Sequence, residues 1–169
     1  METNHLPKYD AARAETHCCP RLDVEAWEGQ ELHFKEKPFI RASTLSLFHI
    51  PLNMGSTFSK TMDAIKHAGA EDDEFAVLSH DRSAWRGEHL FSVKREVPGE
   101  DNVKLTGDYL THVFEGPYSE ASEWCKEMEE FVDRKGKHLT DLYFYYATCP
   151  RCAKHYGKNY VVGVAQVSS

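Results

Sequence analysis

Between Gly107 and Val132 the chain changes its period. Tyr109, Thr111 and Val113 alternate with Leu110, His112 and Phe114 up to Glu115. A Gly116-Pro117-Tyr118 turn follows, and Ala121, Trp124, Cys125, Met128, Phe131 and Val132 then recur at three-and-four spacing. Period two giving way to period 3.6 across one tight turn calls for a strand that feeds straight into a helix packed on the same sheet. Gly136 stops the helix, and Asp141–Tyr146 and Tyr160–Val167 read as two further strands.

The same order precedes it. The stretch from Phe39 to Phe48 is extended, and Pro51 and Gly55 interrupt it. Phe58, Met62 and Ile65 form a helical face that ends at Gly69. Phe75–Ser79 and His89–Val97 are strands joined by a polar loop carrying Trp85. Gly55 and Gly116 occupy matching places before their helices. The expected fold is α+β: a duplicated strand-helix-strand-strand unit forming an antiparallel sheet, with two helices on one face and a ligand groove on the other. Residues 1–37, polar apart from anchors such as Trp27, Leu32 and Phe34, are read as an N-terminal arm wrapping over a domain of residues 38–169.

Charge narrows the partners. Of 169 residues, 27 are acidic and 20 basic, for a net charge of -7, and no Lys/Arg stripe is present, which argues against a nucleic-acid partner. No apolar run is long enough to cross a bilayer, and the first twenty residues lack the core of a signal peptide, so a cytoplasmic protein without membrane contact is expected. Five cysteines in such a context favour reduced thiols or metal ligands over a disulfide framework. Phosphate-binding loops, nucleophile-elbow serines and HExxH are absent from the sequence. The ten histidines are scattered, and His49 and His112, which lie on expected strands, are the ones to watch.

On the strand from Asp141, Tyr143 and Tyr145 share one face, and Leu142, Phe144 and Tyr146 the other. With Leu142 and Phe144 assigned to the helix side, the two tyrosines turn to the groove. The alternative is that these rings only build core. Trp85 has no periodic reason for burial and suits a pocket wall, whereas Trp124 lies on the apolar helix face and suits the core. Tyr109, Tyr118 and Phe48 complete the candidate ligand-binding set. Glu115, on the face of Tyr109 and Val113, could activate a water while Tyr143 or Tyr145 donates to the oxygen gaining charge, so Glu115 and Tyr145 are the catalytic candidates. Otherwise Glu115 is a solvated carboxylate near a helix N-terminus. Cys149-Pro150-Arg151-Cys152 is a CxxC, and Cys18 and Cys19, or His155 or His17 in their place, could complete a structural zinc site. The other reading is unligated thiols.

Two runs carry a family resemblance: Phe114-Glu115-Gly116-Pro117-Tyr118, leading to Trp124, and the stretch from Tyr145 through Cys149-Pro150-Arg151-Cys152 to Tyr160. They resemble the GyrI-like small-molecule-binding domain family, in particular its stand-alone branch often labelled hydrolase, over the span from Phe39 to Val167. The resemblance implies a groove between the two copies, on the sheet face away from the helices, that binds bulky aromatic or cationic xenobiotics. In some stand-alone members an aromatic cage hydrolyses cyclopropane-bearing, DNA-alkylating natural products. Many members carry a carboxylate in the strand entering the last hairpin, where this chain has Tyr143, which favours a neutral planar ligand. The function so implied is binding of a hydrophobic aromatic molecule with hydrolysis of a strained electrophile. The alternative is a drug-sequestering or gyrase-inhibitory module without turnover. No catalytic cofactor is expected, and the sequence identifies no protein partner.

Overall fold

Seven strands, one of them only two residues long, pair antiparallel throughout in the computed structural model, which describes residues 3–9, 14–15, 19–47 and 50–169. The first half contains α1 (Val24–Trp27), β1 (Glu31–Leu47), β2 (Ile50–Pro51), α2 (Met54–His67), β3 (Val77–Ser83) and β4 (Arg86–Ser92). The second contains β5 (Asn102–Glu115), a 3-10 turn (Tyr118–Glu120), α3 (Ala121–Arg134), β6 (His138–Tyr146), α4 (Pro150–Tyr156) and β7 (Tyr160–Ser168). The order strand, helix, strand, strand therefore occurs twice. Each half repeats one pairing scheme, β1–β4–β3 and β5–β7–β6. The halves meet where β3 touches β6 and again where β1 pairs with β5, so the sheet closes on itself.

Both helices lie on one face. Trp124, Met128, Phe131 and Val132 of α3 pack against Leu110, Phe114, Phe144 and Ala165, and Ile65, Phe58 and Met62 of α2 pack with Ile40, Val77, Phe91 and Val93. Period-two and period-3.6 patterns thus meet on one apolar layer. Gly163 shows how close the approach is: a Cβ there would stand 2.5 Å from the Met128 sulfur. At Gly116 the backbone turns with φ 148° out of β5 toward α3, a conformation that disfavours a side chain.

The opposite face carries Phe34, Phe39, Leu78, Leu90, Tyr109, Tyr143, Tyr145, Val162 and Val164, as the alternation expected for β6 requires. It is roofed, however, where an open groove was expected. Leu6, Leu22 and Trp27 of the N-terminal segment join this cluster, since three large apolar side chains in a polar arm gain most by covering an aromatic face.

Most strands run past their expected bounds, β3 on to Ser83 and β6 back to His138 among them. β1 begins at Glu31, inside the expected arm, because residues 31–34 pair with β5 ahead of a bulge between Phe34 and Lys37 where Glu36 adopts φ 50°. The bulge sets Lys37 inward, buried, with its ammonium 5.8 Å from the centres of the Phe34 and Phe39 rings and donating to the Asn4 carbonyl at 3.0 Å. β4 begins at Arg86, and β5 at Asn102. Phe48, His49, His17 and Cys18 lie outside the described residues.

Candidate functional site

Strand β6 sets out the aromatic part of the site. Tyr145 packs against Trp27 of α1, with ring centres 5.4 Å apart, and both rings line a cavity of about 290 Å³ whose other walls include Tyr9, Leu22, Phe75 and Ala147. That volume lies at the lower end of the range of small-molecule sites. Trp27 is held in place because Asp23 caps α1, accepting from the Ala26 N–H at 3.1 Å, and because Thr111 Oγ1 donates to the Trp27 carbonyl. Burial drives the Tyr145 phenol far above its ordinary range, so it stays protonated and keeps a hydroxyl proton to donate.

One strand repeat along the same face, the surface becomes polar. His80 of β3 lies over Tyr143, ring centres 4.8 Å apart. Its Nε2 is 3.5 Å from Glu88 Oε1 on β4, and its Nδ1 is 3.8 Å from Asp141 Oδ1 on β6. Glu88 is only 7% exposed. Cross-strand pairing produces the group: His80 is opposite Glu88 in the β3–β4 ladder, and Asp141 precedes Tyr143 by two residues. Tyr109 of β5, 1% exposed, belongs to the same buried cluster as Tyr143. Its hydroxyl has no hydrogen-bond partner among the described residues, and burial, together with the charge of Asp141, pushes the phenol up to about 12. A histidine between two carboxylates, packed against a tyrosine ring, can move a proton and donate a hydrogen bond.

Of the expected site residues, Tyr109, Tyr143 and Tyr145 come together on this face. Trp85 does not join them. It is 54% exposed at the β3–β4 turn, whose backbone is tied to β1 by Ser46 N–H donating to the Trp85 carbonyl at 2.7 Å. Tyr118 sits on the helix side, 5.7 Å from the Tyr146 ring, its hydroxyl donating to the Thr148 carbonyl. Glu115 is exposed at the end of β5, opposite Tyr160 of β7, and β7 lies between it and Tyr145. Two ladder spacings, roughly 10 Å, separate the two strands. His112 faces α3, stacked on Phe131 and 2.6 Å from Glu28 Oε1, away from the hollow. Sequence pattern does not single out this group: His80 and Glu88 lie just beyond the expected strand ends at Ser79 and His89, and Asp141 meets His80 only across strands. Carrying the alternation of Leu90 back one step reaches Glu88.

A second group lies beside the cavity. The sulfurs of Cys19, Cys149 and Cys152 all lie within 4.8 Å of one another, Cys149 being the N-cap residue of α4 and Cys152 fully buried. The arm does fold back onto the CxxC, as the zinc reading required.

The fold and site define an α+β protein with a closed antiparallel sheet, helices on one face and a roofed aromatic hollow with an acid–histidine group on the other. The model of the family described as bacterial hydrolase matches residues 9–167, and the chain belongs to that family. No curated protein matches it. Among solved structures, an uncharacterized conserved protein from Listeria innocua is similar, with 15% identity and a TM-score of 0.60 over 95% of this chain and all of that one. The EcmrR C-terminal domain is 12% identical, with a TM-score of 0.58 over 85% of this chain and 98% of that one. A hydrolase from Listeria innocua is 13% identical, with a TM-score of 0.55 over 84% and 92%. At such identities the likeness is one of fold. No helix among the described residues is long and apolar enough to cross a membrane.

Proposed function

We propose that the protein binds a flat, hydrophobic aromatic molecule in the hollow and hydrolyses a strained, cyclopropane-type carbon within it. The observation that carries this is the Tyr109 hydroxyl, a buried donor lacking an acceptor among the described residues, within reach of the Asp141 charge and on the face where His80 lies between two carboxylates. Such a donor costs about 1–3 kcal/mol unless something accepts from it. A ligand oxygen in the hollow would do so. The aromatic part of the ligand lies against Tyr145 and Trp27. His80 takes a proton from water, the hydroxide oxygen bonds to the strained carbon, and a ring C–C bond breaks toward a conjugated carbonyl. Tyr109 donates to the oxygen that gains charge, and His80 returns the proton, so water is added overall. Glu88 and Asp141 orient the imidazole and face the positive charge it acquires. Membership of a hydrolase family and the resemblance to the GyrI-like branch support this reading. The buried carboxylate supplied by β4 also makes a cationic ring system acceptable alongside a neutral one.

Incubation with a cyclopropane-bearing aromatic alkylator, with product measured by mass spectrometry, tests it. Many turnovers are expected, with His80→Gln losing about 100-fold in kcat. Yield that stops at one equivalent makes the protein a sequestering module instead. Glu115→Gln in the same assay locates the base: loss there and not at His80 moves proton removal to the mouth of the groove.

A further inference from the structure

Three thiols from two distant parts of the chain converge where no disulfide joins them, with Cys19 on the arm and Cys149 and Cys152 at the start of α4. The convergence does not depend on sulfur. Tyr156 Oη donates to the Cys19 carbonyl at 2.5 Å, the Arg21 guanidinium lies 4.3 Å above the Tyr156 ring, and Glu15 holds Arg21 at 3.1 Å and His155 at 3.2 Å. Arm and helix are thus fastened on one side, and the cysteines are presented to each other by that fastening.

A disulfide would need two sulfurs at bonding distance and leave the third without a role. A tetrahedral thiolate site needs three or four sulfurs spaced about 3.8 Å apart, which follows from metal–sulfur bonds of about 2.3 Å. The three sulfurs stand no more than 4.8 Å apart, a ceiling about one ångström above that spacing. We propose that Cys19, Cys149 and Cys152 bind a thiophilic divalent ion of the zinc class, the fourth position going to water or a further donor. Three S–H groups release their protons to solvent as three metal–sulfur bonds form, with no change of oxidation state. The ion is structural, and it staples the roof of the hollow. Cys19 immediately precedes Pro20, Arg21 and Leu22, which line the cavity, and Ala147, another lining residue, lies two positions before Cys149. This inference is independent of what the hollow binds or turns over.

The test uses the full-length reduced protein, stripped with a chelator and titrated with Zn2+ or Co2+. About one equivalent is expected, and the cobalt form should show thiolate-to-cobalt charge transfer with the strong visible bands of tetrahedral coordination. Cys149→Ser should abolish binding and Cys19→Ser weaken it at least about tenfold. Absence of the charge-transfer band, or wild-type affinity in Cys19→Ser, overturns the site. Because Cys152 is fully buried, its variant reports on packing as well as on metal, so wild-type alkylation supplies a second measure. Zinc should protect Cys19, Cys149 and Cys152 from iodoacetamide and leave the labelling of half-buried Cys125 unchanged; equal labelling with and without zinc refutes the proposal. The staple has its own readout: amide exchange over residues 19–27 should quicken by about tenfold or more on metal removal, and unchanged exchange sinks that part.

Discussion

Tyr109 separates function from stability at a single atom. Its hydroxyl is buried without a partner among the described residues, so Tyr109→Phe removes a group that destabilises the unliganded protein while keeping the ring that packs 4.8 Å from Phe34. The expected outcome is a gain of about 1 kcal/mol in urea denaturation together with a fall in turnover of about tenfold or more. Lost stability would mean that the hydroxyl is satisfied within the protein. His89 is a residue of the opposite kind. Hydrogen-bonded to Thr44 at 2.9 Å and Ser79 at 2.7 Å on the helix side, it is fully served as a neutral ring, and burial lowers it from 6.5 to about 4. Below 6.5 the unfolded chain takes up a proton that the folded ring refuses. Stability is therefore intact above that value, falls as pH drops from 6.5 toward 4, and this loss totals about 3 kcal/mol. His89→Gln should flatten that part of the pH–stability curve; identical slopes in both proteins would refute it. At this scale the sequence was legible where parity decides, as for Tyr143 and Tyr145 against Leu142 and Phe144. It was not where partners come from other strands: nothing local to His80 announces Glu88 or Asp141.

Elements were legible by period and blurred at their ends. The β5–α3 unit stands where alternation and three-and-four spacing put it, because tertiary packing and local pattern agree there. β1 was cut short because Lys35, Glu36 and Lys37 look like a polar linker, whereas the bulge turns two of them outward and lets the third snorkel inward over aromatic rings. The roof was legible only as anchors without a destination. Sheet and helix approach closely at Gly163, so Gly163→Ala should cost about 1–3 kcal/mol in denaturant unfolding as the added methyl displaces Met128 from the sheet. A double variant with Met128→Ala should recover part of that loss. No recovery would mean that backbone conformation, not the sulfur contact, excludes alanine.

Taken whole, the molecule is two similar halves joined along two unequal seams. β1 pairs with β5 from Glu31 to Ile40, interrupted only by the bulge, whereas β3 and β6 share the single bridge Ser79↔Phe144. A ladder of backbone hydrogen bonds makes the first seam the stronger. The second is held chiefly by side chains across it, among them the His80–Tyr143 ring contact and the His80–Asp141 pair, so the polar group of the candidate site also fastens the weaker edge. Opening there would expose the hollow without unwinding either half, which gives a roofed cavity a route for its ligand. Amide exchange should therefore be fastest, among the long strands, on the β3 and β6 edges that face each other, and slowest where β1 meets β5. Binding of a planar aromatic ligand should slow exchange at β3 and β6 and leave the β1–β5 seam unchanged. Protection appearing instead only over the arm, residues 19–27, would place the entrance at the roof and leave the β3–β6 seam as a closed structural join.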